Sequence, residues 1–357
     1  MDLDSLTQNV SEWLRGTGPE SDIVVSTRIR LARNLAQFPF ASKASDDVKA
    51  QIVGQMQGVL TELPIAKPLS WVDVEALNDV DRQFLVERQL ISRELADSAW
   101  PRGVAVAQTE DIAIMVNEED HLRLQVLRSG LAFDDCWEEM NAIDDAIEER
   151  VTYAFDDMFG YLTACPTNAG TGIRVSVMMH LPALVQTREV SKVFNALQKI
   201  NVAVRGLYGE GSQALGDFYQ ISNQFTLGMS ETQIIDKVRE VIPMILKYER
   251  KARAEMLEAK RADLHDYISR CYGTLCSAQK LSSEETMQLL SSVRLGVNLG
   301  LINSVRLQTL NQLFIQIQRA HLQKLKHVEL SKSERDATRA ALIRQRLTAE
   351  RKELGEV

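Results

Sequence analysis

Over the first 230 residues, short runs of alternating apolar and polar positions are separated by longer stretches with helical spacing. In IVVSTRIRL (23–31) a period of two puts Ile23, Val25, Thr27, Ile29 and Leu31 on one strand face, and Ser26, Arg28 and Arg30 on the other. A second strand is expected near 111–126, where Leu122, Leu124 and Val126 alternate with His121, Arg123 and Gln125. A third, IRVSVMMHL (173–181), sets Ile173, Val175, Val177 and Met179 against Arg174, Ser176, Met178 and His180. A fourth, NVAVRG, carries Arg205 and runs into the glycine-rich turn Gly206-Leu207-Tyr208-Gly209-Glu210-Gly211. Between the strands, Trp137, Met140, Ile143, Ile147 and Val151 form one helical stripe and Val190, Val193, Phe194 and Leu197 another. Strands with one apolar face and one arginine-bearing face predict an α+β fold. Its core is an antiparallel-rich β-sheet with helices on the apolar side and the polar side left open for a ligand.

From about residue 230 the strand signals fade. Ser230 with Gln233 reads as a capping box opening a long helix, with a kink expected at Pro243, and Ser282 with Glu285 reads as another helix start. Leu289, Val293, Leu299, Leu310, Leu313 and Ile317 continue the helical spacing, suited to burial within one chain or against a second copy. The expected organisation is a catalytic-type α+β domain at 1–252 and an all-α helical domain at 253–357.

The net charge of −8 is unevenly spread: 17 basic against 12 acidic residues give +5 to 253–357, leaving −13 on 1–252. So acidic a domain makes a poor nucleic-acid grip and suits cationic substrates. There is no run of eighteen apolar residues, no signal-like N-terminus, and no CxxC among Cys136, Cys165, Cys271 and Cys276. A reducing cytoplasmic setting without membrane insertion is therefore expected. The five histidines lack HExxH spacing, so no metal held by protein side chains is expected.

No GxxxxGK[ST], HRD or DFG occurs, which excludes a P-loop NTPase and an ordinary protein kinase. Arg28, Arg30, Arg123, Arg174 and Arg205 instead lie at strand ends, and planar, permanently charged donors can hold a triphosphate where no glycine loop cradles it. Taken alone, such arginines more often meet solvent or nearby carboxylates. Glu118-Glu119 and Glu210 are carboxylates of the kind that can align a guanidinium and accept its proton, although an EED run is usually a solvated turn. Cys165 lies two residues before Thr167 and close to Gly170-Thr171-Gly172, a turn chemistry that favours a reactive thiol. A lone cysteine is nevertheless more often buried and inert.

Read in order, STRIRLARNL (26–35), VNEEDHLRLQ (116–125), CPTNAGTGIRVSV (165–177), and RGLYGEG followed by ISNQFTLG (205–228) resemble the catalytic domain of the guanidino (phosphagen) kinase superfamily. Metabolic members carry a helical domain of roughly one hundred residues ahead of the STRIR-type motif. Here Arg28 stands almost at the start and helices follow instead, with Arg335-Asp336-Ala337-Thr338-Arg339-Ala340 matching an RDxxRA motif. The chain accordingly resembles the bacterial protein arginine kinase branch.

The resemblance implies that ATP with Mg²⁺ is held by Arg28, Arg30, Arg123, Arg174 and Arg205, with Ser26, Thr27, Ile29, Gln89, Val175, Ser176, Val177, Met178, Gly206, Leu207, Tyr208, Gly209 and Glu210 around it. It implies that Glu119 and Glu210, with Glu118 beside them, clamp the substrate guanidinium, and that the Cys165 thiolate positions it. Arg335, Asp336, Arg339 and Ala340 are implied as an allosteric phosphoarginine site. It further implies a homodimer, protein substrates with exposed arginines, a McsA-type activator, a CtsR-type repressor and a ClpC-type protease in stress response. Metabolic members have a histidine at Met178, and the protein-directed branch often has one at Gln89. Two other readings stay open: a kinase of free arginine, and a non-catalytic phosphoarginine-binding adaptor.

Overall fold

The computed structural model describes residues 2–206 and 215–355. Its strands are β1 (Val24–Arg33), β2 (Leu69–Asp73), β3 (Gly103–Ala107), β4 (Ile112–Val116), β5 (Leu122–Ser129), β6 (Phe155–Asp156), β7 (Gly160–Tyr161), β8 (Ile173–His180), β9 (Val202–Gly206) and β10 (Phe218–Asn223). The helices are α1 (Asp46–Thr61), α2 (Asp79–Glu87), α3 (Arg93–Asp97), α4 (Phe133–Glu148), α5 (Pro182–Gln186), α6 (Val190–Gln198), α7 (Glu231–Ser277), α8 (Ser283–Asn298), α9 (Leu307–Gln316), α10 (Arg319–Lys326) and α11 (Lys332–Glu353). Eight strands form one sheet in the order β2-β3-β4-β5-β1-β8-β10-β9. Every pairing in it is antiparallel, and β6 with β7 makes a separate small hairpin. The α+β expectation holds, with a helical C-terminal region.

The apolar strand face, including Ile29, Leu31, Leu124, Val126, Val175 and Val177, is buried against α1, α4, α6 and the first half of α7. Burying this continuous face supplies the main drive for the sheet to form. The stretch expected as one strand near 111–126 is instead the hairpin β4–β5, folded back at Asn117–His121. Asn117 takes a left-handed φ of 60° there, and its N–H donates to the His121 carbonyl at 2.9 Å.

Two further departures concern the polar face and α7. A register shift in β1 between Val24 and Ser26 puts Val24 in the core under the sheet. Val25 turns to the opposite side, where it joins Trp13, Leu127, Met178 and Phe218. The helices α7, α8, α9 and α11 pack onto that apolar end, so the polar face is open over only part of its area. The Ser230–Gln233 capping box opens α7 as expected. Pro243 is accommodated without non-helical φ/ψ because it points to solvent, where the carbonyl it leaves unbonded can be hydrated. The helical φ/ψ break falls instead at Lys260 (φ −148°, ψ 42°). Val293, Leu310, Leu313 and Ile317 are buried within the chain.

Buried polar links fasten the helices to the sheet. Arg294 on α8 donates to His180 Nδ1 at 2.8 Å and to the Asp22 carbonyl at 3.2 Å, while His180 Nε2 meets Ser291 Oγ at 2.9 Å. Glu87, closing α2, accepts from the first amides of α10, Ala320 and His321, both at 2.9 Å. A carboxylate at a helix N-terminus satisfies amides that have no partner inside the helix.

Candidate active site

The strand register decides which side chains meet. Arg28 lies opposite Ser176 on β8 and Leu127 on β5, Arg30 opposite Arg174, and Arg123 opposite Ala32. Gln220 on β10 lies opposite both Met178 and Arg205. Side chains alternate along a strand, so Arg28, Arg30, Arg123, Arg174 and Arg205 all fall on one face, with Ser26, Ser176 and Gln220. Arg28 is held on three sides: Nη2 donates to Gln220 Oε1 at 2.7 Å, Nη1 to Gln89 Oε1 at 3.3 Å and Nε to Ser176 Oγ at 3.5 Å. Gln89 adopts a left-handed φ of 64°, and its carbonyl accepts from Gln125 Nε2 at 2.5 Å, which fixes the residue against this face.

Electrostatically this face crowds guanidinium groups together. Burial, then the charges of Arg123 and Arg174, pull the Arg28 guanidinium down to about 10. Burial and the same neighbours together with Arg28 hold Arg30 well below its ordinary value, and its buried Nε has no hydrogen-bond partner. Glu118 offsets part of this through an ion pair with Arg123. An adjoining cavity of about 180 Å³ is lined by Arg28, Arg30, Arg205, Gln89, Gln125 and Gln220, among others. Closely spaced guanidinium groups with an unmet donor form a receptor for a multiply charged anion such as a polyphosphate.

At the edge of this face stands the Asn117–His121 turn. Its shape rests on Asn117 Nδ2, which donates to the carbonyls of Lys49 at 2.9 Å and Pro101 at 3.0 Å. Glu118 is buried; burial opposes its ionisation, but Arg123, the Ser92 hydroxyl and the Glu119 amide outweigh that and keep its carboxyl below the usual range. Glu119 is exposed, and partial burial followed by the charges of Asp120 and Glu118 raises its carboxyl above the usual value. Buried Asp120 uses Oδ1 to accept from Asn34 Nδ2 and from the Ala164 amide, both at 2.7 Å. Asn34 also receives the His121 amide at 2.9 Å, so β1, the turn and the loop preceding Cys165 share one network.

Cys165 is half-buried at the start of the 3-10 turn Pro166–Asn168, with Sγ 3.0 Å from Thr167 Oγ1. Thr163 Oγ1 donates to the Cys165 carbonyl at 2.7 Å, and buried Thr226 donates to the carbonyls of Ala169 at 2.6 Å and Thr167 at 3.0 Å. At Gly172 (φ +65°) a Cβ would lie 2.6 Å from the Ala32 carbonyl oxygen, so glycine lets the loop close onto β1. The loop is thus pinned to β1, to the tail of β10 and to the turn bearing Glu119.

Not every expected residue faces this centre. The side chains of Thr27, Ile29, Val175 and Val177 point to the opposite side. Thr27 Oγ1 donates to the Gly130 carbonyl at 2.7 Å, and the other three lie in the apolar core. Met178 does share the arginine side of the sheet, opposite Gln220, and packs there among Trp13, Val25 and Leu127 beneath the C-terminal helices. Gly206 ends β9, whereas Leu207, Tyr208, Gly209 and Glu210 lie outside the described residues. Arg335, Asp336, Arg339 and Ala340 sit on α11. Arg339 is buried and donates to the carbonyls of Leu281 at 2.7 Å and Ile317 at 3.0 Å and to Asp336 at 2.7 Å. Among the described residues no cluster of three or more His, Cys, Asp or Glu could hold a metal ion, and no helix is long and apolar enough to cross a membrane.

Asn34, Asp120, Gln125 and Gln220 are the site residues that sequence reasoning passed over. Gln125 carried a signal, since it continues the alternation that exposes Arg123.

Two family models match the chain: the ATP:guanido phosphotransferase C-terminal catalytic domain at residues 51–252, and the protein-arginine kinase McsB C-terminal domain at 261–356. The chain is 44% identical to the protein-arginine kinase of Halothermothrix orenii over 96% of its own length and 98% of that protein. It is 46% identical to that of Symbiobacterium thermophilum over 95% and 97%. Among solved structures, the duplicated taurocyamine kinase from Schistosoma mansoni with bound transition state analog components has a TM-score of 0.60 at 26% identity, covering 66% of this chain and 34% of that one. Lombricine kinase, at 24% identity and a TM-score of 0.57 over 72% and 71% of the two chains, shares the fold. The sheet, its arginine face and these matches define an ATP:guanido phosphotransferase. Within that class the chain belongs to the protein-arginine kinase family.

Proposed function

We propose that this chain transfers the γ-phosphoryl group of ATP to arginine side chains of proteins. The observation that carries this reading is an arginine-rich face on the central strands β1, β5 and β8, with the turn bearing Glu119 joined to it through the Glu118–Arg123 ion pair and to the Cys165 loop through Asp120. Arg28, Arg30, Arg123, Arg174 and Arg205 hold the phosphate oxygens and spread the charge that develops on them, while Ser26, Ser176, Gln89 and the backbone near Gly206 frame the nucleotide. Mg²⁺ arriving with the nucleotide would supply further charge neutralisation at the phosphates beside these arginines. Glu119, together with Glu210 and with Glu118 bracing Arg123, aligns the guanidinium and takes the proton its attacking nitrogen releases. That nitrogen then bonds phosphorus as the bond to the ADP oxygen breaks. Cys165 sits against the guanidinium and fixes its orientation. Most of the acceleration comes from positioning and charge stabilisation, because phosphoryl transfer asks for little covalent chemistry from the protein.

The reading extends to the chain's organisation. It divides into a catalytic domain at 1–252 and a helical domain at 253–357 that dimerises and binds phosphoarginine through Arg335, Asp336, Arg339 and Ala340. It acts in the cytoplasm, in keeping with four free cysteines. It marks proteins for a ClpC-type protease in stress response, relieves a CtsR-type repressor and works with a McsA-type activator. The test is to incubate the chain with Mg-ATP and an arginine-rich protein and map phosphate under non-acidic handling. Acid-labile phosphoarginine is expected, and phosphate confined to Ser, Thr or Tyr defeats the reading.

A further inference from the structure

Twelve large apolar side chains are exposed among the described residues, and five of them lie in two short segments: Phe155, Met158 and Phe159, and Phe225 and Leu227. They are 51–79% exposed. Singly scattered apolar residues on a surface need no explanation, but a cluster does.

Both segments are fastened to the loop that carries Cys165. Met158 and Phe159 sit at the tip of the β6–β7 hairpin, where their amides donate to Asp156 Oδ1 at 2.8 and 3.0 Å, so the tip has a fixed shape. The base of the hairpin pairs with the loop, the Tyr161 amide donating to the Gly170 carbonyl at 2.8 Å. On the other side Thr226, between Phe225 and Leu227, bonds the Thr167 and Ala169 carbonyls. Gly170 is the meeting point: a Cβ on it would lie 2.9 Å from Leu227 Cα, and one on Gly160 would lie 2.6 Å from the Gly170 carbonyl oxygen. The apolar groups therefore border the Cys165–Gly170 loop from two sides and leave their faces to solvent.

We infer that Phe155, Met158, Phe159, Phe225 and Leu227 form a docking rim for the protein substrate, receiving apolar side chains that flank the target arginine. This rests on the proposed function, in which an arginine still joined to its polypeptide reaches Cys165 and Glu119. Its neighbours in the chain must then cross whatever surrounds the Cys165 loop. The occupant is set by this continuity with the reacting site: an extended or loosened segment with leucine-like or aromatic residues beside its arginine. Apolar faces that meet on such a rim lose water contact, which strengthens binding without touching the reacting atoms.

The experiment uses the full-length protein and two peptides of equal length and net charge, each with one arginine. One has leucine and phenylalanine around the arginine, the other serine and glycine. Two variants, Met158→Ser/Phe159→Ser and Phe225→Ser/Leu227→Ser, are compared with the unaltered chain. For the apolar peptide each is expected to raise KM by about tenfold, equivalent to ~1.4 kcal/mol of binding, with kcat held. For the serine–glycine peptide KM should stay within about twofold. Equal effects on both peptides, or none on either, overturn the inference. So does a change of sedimentation coefficient with unchanged KM, which assigns the rim to contact between copies. If the unaltered protein phosphorylates neither peptide nor a whole arginine-rich protein, the parent reading fails and takes this one with it. That outcome is distinct from brisk turnover of both peptides at equal KM, which defeats the rim alone.

Discussion

Asp120 Oδ1 accepts the Ala164 amide hydrogen at 2.7 Å, which joins the turn carrying Glu119 to the loop carrying Cys165 one residue from each. The same oxygen holds Asn34 Nδ2 at 2.7 Å, so the joint is anchored on the residue that follows β1 as well. Asp120→Ala removes the joint without touching the arginine face. The expected result is a fall in kcat of about 10–100-fold, the scale on which small misplacements act, with KM for ATP nearly unchanged. Steady-state kinetics with ATP varied at saturating protein substrate checks it.

Arg30 is half-buried beside three other arginines with a buried, unpartnered Nε, an arrangement that costs stability until an anion arrives. Arg30→Met should therefore raise the melting temperature of the nucleotide-free protein by about 2–4 °C, the shift that ~1 kcal/mol gives in a domain of this class. It should also shrink the rise that ATP or pyrophosphate produces in the unaltered chain. Scanning fluorimetry with and without ligand reads both, and an unchanged ligand-induced rise argues against phosphate contact at Arg30.

His321 is buried against Phe84, with ring centroids 5.4 Å apart, and burial, then the charge of Arg88, pushes its pKa down to about 3. The unfolded chain takes up a proton at this imidazole below about 6.5, while the folded chain resists it down to about 3. Stability from this group is thus fully present above pH 6.5 and is lost as the pH falls towards 3. By pH 5 the loss is about 2 kcal/mol. Urea unfolding at pH 7 and pH 5 of the unaltered chain and of His321→Phe measures it as the difference between the two pH responses, because Glu87, raised to about 7 by burial, and buried His180 contribute to both.

Within the RDxxRA segment the two arginines should separate. Arg339 is buried and braces the carbonyls of Leu281 and Ile317, so Arg339→Ala strands buried acceptors and should cost about 2–4 kcal/mol of stability. Arg335 is only half-buried and reaches the Leu330 carbonyl at 2.6 Å. Its replacement by alanine should weaken phosphoarginine binding with a much smaller loss of stability. Calorimetric titration with free phosphoarginine, beside urea unfolding of both variants, tells them apart.

What could be read from the sequence follows from which strands show one face to water. Strands β1, β5 and β8 do, so alternation alone sets Arg28 and Arg30, Arg123, and Arg174 on the polar side of their own strands, and the register joins these sides into one face. Strands β3 and β4 are buried on both faces. The second covering layer comes from Leu3, Leu6, Phe84, Leu90 and Leu95, so Gly103–Ala107 shows no alternation to detect. The register shift that turns Val25 towards the C-terminal helices breaks the period of two locally, which is why that end of the polar face looked open. Asp120 and Asn34 were missed because their value lies in each other and in Ala164, partners 44 to 86 residues apart that no local pattern connects.

The central claim is that the arginine face binds nucleotide while the tethered Glu119 and Cys165 act on the guanidinium. It is tested most directly by single-turnover transfer from γ-labelled ATP to an arginine-containing protein, with nucleotide Kd measured in parallel. For Cys165→Ala and Glu119→Gln the account predicts a transfer rate lower by about 10²-fold or more, with the Kd for ATP within about threefold of the unaltered chain. Transfer at the unaltered rate in both variants, or a loss of ATP binding as large as the loss of rate, contradicts it.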